Sequence, residues 1–135
     1  MAVKQRIKEL RDQIPQLKQV YESGDTADYR LKAENWYGGL RVTWERTVEE
    51  SVLNGVVKRF SRGVETKKLK QVAGCLTKDD YAAIEAGMSK SSRWLKGHDE
   101  PSASNAPIPD PSEIEKDLNN LHAFFRDYES RKSSS

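Results

Sequence analysis

The stretch YGGLRVTWERTVEESV, residues 37–52, carries the pattern that decides the fold. Its large apolar residues recur at steps of three and four, the spacing that lines one face of an α-helix. They are Tyr37, Leu40, Trp44, Val48 and Val52. The pattern belongs to a longer helical segment over residues 26–53, the strongest in the chain, so we expect this segment to be the central helix of the core.

Two glycines and a cap shape this central segment. Gly38 and Gly39 each cost a helix about 1 kcal/mol relative to alanine. We therefore expect either a closely packed neighbour or a kink at that point. Asp25 and Thr26 both carry side chains suited to cap the first turn, and Asn54-Gly55 closes the segment at its other end.

The N-terminal segment has a narrower apolar stripe with the same alternating steps. The stripe consists of Ile7, Leu10, Ile14, Leu17 and Tyr21. Pro15 lies inside it and either kinks the helix or restarts it, because proline removes a backbone hydrogen bond and clashes with the preceding turn. We expect residues 1–24 to form a projecting or coiled-coil-like helix and residues 25–135 to form a helical domain.

Two capping boxes predict two further helices. The first, residues 77–80, opens a pattern that runs through Trp94 and stops at Gly97. The second, residues 112–115, opens the last helix, whose stripe again steps by four and three. That stripe consists of Ile114, Leu118, Leu121, Phe125 and Tyr128. Antiparallel pairing of the first and last helices would bury both stripes, so the predicted fold is an all-α antiparallel helical bundle.

Other segments are predicted to lack regular structure. Residues 99–111 hold four of the five prolines and no apolar periodicity, which is typical of a loop or an extended crossing. The tail, residues 131–135, is expected to be disordered. His122 is interpreted as a partly buried core histidine, and Trp36 and Trp44 as core residues rather than base-stacking surfaces.

Composition limits the class of protein. A length of 135 residues suits one domain, and the 36% hydrophobic and 33% charged residues favour packed amphipathic helices. The single cysteine, Cys75, excludes an internal disulfide and has no thiol partners for a zinc site. No run approaches the ~18 apolar residues of a membrane span, and the start lacks the apolar region of a signal peptide. We expect a protein of the cytoplasm with no membrane association.

The net charge of +2 does not by itself indicate a nucleic-acid binder. Evidence for nucleic-acid binding must come from clusters of positive charge along the chain. Residues 56–73 hold six cations against one anion, Glu65. The six are Lys58, Arg59, Arg62, Lys67, Lys68 and Lys70. This basic patch is a candidate to track an RNA backbone, with Lys90 and Lys96 extending it, and a solvated helix face is the alternative.

The stretch RWLKGH, residues 93–98, combines a fixed cation with a proton-transfer group. On a regular helix Arg93 and His98 would lie about 140° and 7.5 Å apart, so they would not share a face. Gly97 changes this, because glycine after the last turn readily adopts the left-handed conformation that reverses the chain. In the alternative interpretation His98 caps the end of the helix and Arg93 faces water.

An arginine, a hydrophobic residue, three further residues and a histidine form the motif of HEPN-domain ribonucleases, which residues 93–98 resemble. Arg41 and Glu45 stand four residues apart in the central helix, a spacing also found in ordinary intrahelical ion pairs. Residues 40–50 are similar to the helix of PrrC-type and RloC-type anticodon nucleases. In those nucleases an arginine, a glutamate four residues on and a later histidine form the active site. Arg41, Glu45 and His98 follow that order.

The resemblance implies metal-independent cleavage of RNA, such as tRNA, in a toxin or phage-defence system, with no cofactor. His98 would transfer a proton, Arg93 and Arg41 would hold the phosphate, and Glu45 would orient Arg41 or share in proton transfer. It also implies a homodimer. Residues 39–98 further resemble the C-terminal region of SMC-like bacterial ATPases, which implies an ATPase domain in a longer parent chain.

Two other functions remain open at the level of sequence. The same bundle can act as a non-catalytic interaction or dimerisation module of a coiled-coil ATPase. Short basic helices around residues 58–73 can alternatively enter a DNA groove in a helix-turn-helix arrangement.

Overall fold

The computed structural model describes residues 2–53, 76–94 and 107–134. Within these ranges the chain is 88% helical and has no strand, which confirms the all-α class. The helices are α1 (Val3–Asp12), α2 (Ile14–Ser23), α3 (Thr26–Thr47), α4 (Lys78–Ser92) and α5 (Pro111–Ser134), and a π-helical segment (Val48–Leu53) continues α3. None of the helices described is both long and apolar enough to cross a bilayer.

The N-terminal pattern forms two helices rather than one. Gln13 separates α1 from α2, and Pro15 lies in the first turn of α2, where its missing N–H would have no helical partner. Of the two predicted effects of Pro15, a kink or a restart, the structure shows the restart. Gly24 ends α2 with a φ of 83°, in the left-handed region that favours glycine.

The central helix α3 follows the predicted bounds closely. Asp25 is its N-cap, and the Asp25 carboxylate accepts a hydrogen bond from the Asp28 backbone N–H at 3.1 Å. The helix runs through both glycines without a break, and a Cβ on Gly39 would lie 3.2 Å from Leu10 Cδ2. Trp36 Nε1 donates to the Leu10 carbonyl at 3.0 Å nearby. Close packing of α1, not a kink, therefore accounts for Gly39.

The start of α4 is confirmed and the start of α5 is corrected. Thr77 and Asp80 form the predicted reciprocal capping box of α4. For α5 the expected box at residues 112–115 is wrong, because the Asp110 carboxylate accepts the Glu113 N–H at 2.8 Å and Pro111 is the first helical residue. Aspartate before proline is a strong start signal, since proline has the helical φ already fixed.

The expected disorder of the tail is also wrong for the part that the structure describes. Helix α5 continues to Ser134. Arg131 forms an ion pair with Asp80 at 2.6 Å, and Lys132 Nζ donates to the Ser51 carbonyl at 3.0 Å. These contacts to α4 and to the π-helical segment hold the last turns in place.

Contacts between helices define the bundle topology. Along α1 and α2, Arg11 meets Asn119 and Lys18 meets Glu115, so these helices run antiparallel to α5, as predicted for the first and last helices. Apolar residues from both sides of the expected boundary at residue 24 enter one core, which contains Trp36 and Trp44 as predicted, each 1% exposed. The first segment is therefore packed on the bundle and does not project from it.

Candidate functional site

Arg41 and Glu45 form an ion pair that faces α4. Arg41 Nε lies 3.0 Å from Glu45 Oε1, and Arg41 Nη1 donates to the Met88 carbonyl at 3.4 Å. The arginine side chain is 29% exposed and the glutamate 45%, so both remain accessible to a ligand. Arg41 thereby connects α3 to α4, the helix that ends immediately before Arg93.

Arg93 lies at the C-terminal end of α4 and is exposed. Its guanidinium carbon is 5.8 Å from the centroid of the Trp94 ring, a cation–π contact. Trp94 is buried, and its ring packs 6.4 Å from that of Tyr37 on α3. The guanidinium carbon of Arg30 lies 5.8 Å from the same indole.

The structure joins Arg41 to Glu45 but not to Arg93. Arg93 lies five positions after Met88, a rotation of about 140° along the helix, so the Arg93 side chain leaves α4 in a different direction from the Met88 side chain. Among the described residues no hydrogen bond or ion pair connects Arg93 with Arg41 or Glu45. Arg41, Glu45 and Arg93 nevertheless all border the seam between α3 and α4, which is the interface where these two helices pack antiparallel.

The other predicted site residues fall outside the ranges that the structure describes. These are the catalytic candidate His98 and the RNA-binding candidates Lys58, Arg59, Arg62, Lys67, Lys68 and Lys96. The region assigned to an alternative DNA-binding helix lies outside them as well. The expected convergence of His98 with Arg93 therefore stays a prediction.

Lys90, expected to extend the basic patch, is neutralised by carboxylates of α5. Its Nζ lies 2.9 Å from both Glu113 Oε1 and Asp117 Oδ1. Burial alone would lower the pKa of Lys90, but the hydrogen bonds to these two carboxylates raise it overall. Lys90 therefore joins α4 to α5 as a permanent cation and is not a free contact for a phosphate.

A groove of about 940 Å³ runs between α4 and α5. Leu40, Trp44 and Phe124 form its apolar floor. Ion pairs cross the groove at both ends, Lys90 to Asp117 and Arg131 to Asp80. The charged groups of these pairs satisfy one another, so they hold the two helices together rather than present free charge to a ligand.

A second, smaller pocket of about 470 Å³ lies between α1 and α5. Its lining consists of Lys4, Ile7, His122, Phe125, Arg126 and Glu129. His122 is exposed here, so its interpretation as a core histidine is wrong. The sequence contained the signal, because His122 follows the buried stripe residue Leu121 and is rotated about 100° from it on the helix.

Neither a metal site nor a known relative assigns a function to this chain. Over the ranges that the structure describes, no group of three or more His, Cys, Asp or Glu side chains is arranged to hold a metal ion. No protein-family model, curated protein or solved structure matches this chain.

Proposed function

We propose that this chain is a metal-independent endoribonuclease whose site consists of Arg41, Glu45, Arg93 and His98. The observation that carries the proposal is the contact of the Arg41–Glu45 pair with α4 at Met88. Through this contact the arginine and the glutamate of α3 border α4, which ends at Ser92, immediately before the motif at residues 93–98. The similarity of this residue set to that of HEPN-domain ribonucleases supports the same function.

Each residue type matches one requirement of RNA cleavage by its own 2′-hydroxyl. The hydroxyl oxygen attacks the adjacent phosphorus and the bond to the 5′-oxygen breaks, which leaves a 2′,3′-cyclic phosphate and a 5′-hydroxyl. His98 exchanges the protons, since an imidazole titrates near neutral pH. Arg41 and Arg93 offer guanidinium donors to the phosphate oxygens, and Glu45 orients Arg41.

The wider setting of the proposal follows the family resemblance. The substrate is RNA such as tRNA, and the lysines and arginines at 58, 59, 62, 67, 68 and 96 track its backbone. A homodimer brings two motifs face to face, and a longer parent chain supplies an ATPase in a toxin or phage-defence system of the cytoplasm.

The direct test is to incubate the purified chain with total tRNA in excess EDTA. We expect fragments that end in 2′,3′-cyclic phosphate, and we expect His98→Ala to abolish them while its far-ultraviolet circular dichroism stays that of the wild type. Cleavage that persists in the folded variant would remove His98 from the mechanism.

One observation favours a second candidate, a non-catalytic interaction module. The Arg41 guanidinium is engaged by Glu45, and that of Arg93 lies over the Trp94 ring, so both have partners within the chain. This candidate predicts no cleavage of tRNA under any metal condition, together with self-association that sedimentation velocity detects.

A further inference from the structure

The pocket between α1 and α5 has a surplus of positive charge. Among the described residues Lys4 forms no ion pair, and Arg126 pairs only with its neighbour Asp127 at 3.5 Å, where the two side chains are 68% and 65% exposed. Such an exposed pair contributes little. The one carboxylate of the lining, Glu129, is held by Lys132 at 3.1 Å. The pocket therefore favours an anion.

His122 adds an oriented hydrogen-bond donor to these cations. Arg11 Nη2 lies 3.1 Å from Asn119 Oδ1 and 3.4 Å from His122 Nδ1. Arginine has no acceptor, so Nδ1 of the imidazole accepts, and the neutral ring carries its proton on Nε2. The Nε2–H group is then left to donate to a bound anion.

The rest of the lining is apolar. Ile7 is buried and Phe125 is partly buried, and they lie beside the cations in the same pocket. A volume of about 470 Å³ lies within the range of pockets that enclose one small ligand, about 300–1,000 Å³. An aromatic ring on the apolar side and a phosphate on the cationic side would satisfy both parts of the lining.

We propose that the pocket between α1 and α5 binds a nucleoside monophosphate unit. Lys4, Arg126 and the Nε2–H of His122 bind the phosphate, and the base packs against the partly buried Phe125 ring. The pocket lies against α1, away from the seam between α3 and α4, so this site goes beyond the proposed cleavage site. Its binding does not depend on cleavage, and either proposal can fail without the other.

The experiment titrates the full chain with four probes in a calorimeter at low salt: adenosine 5′-monophosphate, adenosine, inorganic phosphate and an oligoadenylate of four nucleotides. We expect the monophosphate to bind at least tenfold more tightly than adenosine or phosphate alone. The double variant Lys4→Gln/Arg126→Gln should weaken the monophosphate at least tenfold. The control Lys78→Gln/Lys116→Gln removes the same charge from exposed positions outside this pocket and should bind as the wild type does.

The outcomes separate the sources of binding. Equal losses in the two double variants would mean that overall charge attracts the nucleotide, and would overturn the proposal. So would equal affinity for adenosine and its monophosphate, or no binding of the monophosphate. If the oligoadenylate binds while the monophosphate does not, the surface is an RNA contact rather than a nucleotide pocket. His122→Asn should weaken the monophosphate more than it weakens adenosine.

Discussion

The Tyr37 hydroxyl on α3 donates to Asp117 Oδ2 on α5 at a distance of 2.5 Å. Both residues are buried, and Lys90 of α4 occupies the other carboxylate oxygen at 2.9 Å. Burial and the hydrogen bond to Asp117 raise the pKa of Tyr37 well above its usual range. One carboxylate thus links three helices, which predicts that its partners contribute more to stability than most polar groups of the fold.

We expect Tyr37→Phe to lower the free energy of unfolding by about 1.5–3 kcal/mol, the range for a hydrogen bond to a charged group. Tyr29→Phe is the matched control, because the Tyr29 hydroxyl donates to the neutral carbonyl of Pro109. That loss should be about 0.5–1.5 kcal/mol. Urea unfolding followed by circular dichroism measures both. A loss in Tyr29→Phe as large as that in Tyr37→Phe would contradict the special role of Asp117.

The Asp80–Arg131 pair predicts a loss of stability in acid. Burial would raise the pKa of Asp80, but hydrogen bonds from Arg131 and Thr77 outweigh it and hold the pKa below its usual range. A lowered pKa contributes stability that is complete above the unfolded value of about 3.9 and is lost as the pH falls through the folded value. Asp80→Asn should therefore cost about 1–3 kcal/mol at pH 7.

That cost should shrink as the pH falls below about 4, because the wild-type carboxylate then becomes protonated too. Chemical unfolding at a series of pH values measures the difference. Asp79→Asn, an exposed neighbour in the same helical turn, should change stability by less than about 0.5 kcal/mol throughout the series. A cost for Asp80→Asn that stays constant down to pH 2 would show that the charge of Asp80 is not its source.

Two glycines inside helices predict opposite effects of alanine. A Cβ on Gly87 of α4 would collide with the Trp44 indole, whereas a Cβ on Gly38 of α3 would meet no atom within 4 Å. Gly87→Ala should destabilise by about 1–3 kcal/mol through overpacking. Gly38→Ala should stabilise by up to about 1 kcal/mol through helix propensity. Thermal unfolding measures both changes in stability. A Gly87→Ala protein more stable than the wild type would mean that the Trp44 side chain can move away.

The fold could be predicted where local patterns are strong. Four of the five stripe residues of 37–52 are buried in the core, and Val48 is half-buried. The caps at Asp25 and Thr77 use only neighbouring residues. The tail and the role of Lys90 were missed because their partners are distant in sequence. Lys90 meets Asp117 across 27 residues and Arg131 meets Asp80 across 51, and periodicity does not specify which polar residues meet across two helices.

Less of the candidate site than of the fold could be predicted from the sequence. The spacing of Arg41 and Glu45 implied their ion pair, since residues four apart share a helix face. The contact of Arg41 with the Met88 carbonyl depends on how α3 and α4 pack, which the spacing does not specify. The pocket at His122 was not predicted, because paired apolar stripes specify which faces of α1 and α5 meet but not which polar side chains, here Lys4 and His122, lie beside them.

The proposed cleavage site makes a specific prediction for two arginines of α3. Arg41 and Arg46 each pair with a glutamate four residues on, but Arg46 lies 3.8 Å from Glu50 and has no hydrogen bond to α4 within the described residues. Arg41→Gln should reduce tRNA cleavage by about 100-fold or more, the typical cost of removing one donor to a transition-state oxyanion. Arg46→Gln should retain the wild-type rate.

The ion pairs at this spacing contribute only about 0.3–0.5 kcal/mol each. Arg41→Gln also loses the hydrogen bond to the Met88 carbonyl, so thermal unfolding of both variants is the control that separates a loss of stability from a loss of activity. Glu45→Gln gives the third measurement. If Glu45 acts only by orienting Arg41, the amide still holds the guanidinium and cleavage falls by about tenfold, with no change in its pH dependence. If Glu45 shares in proton transfer, Glu45→Gln removes one limb of the pH–rate profile. Equal rates in Arg41→Gln and Arg46→Gln would place the phosphate outside the seam between α3 and α4.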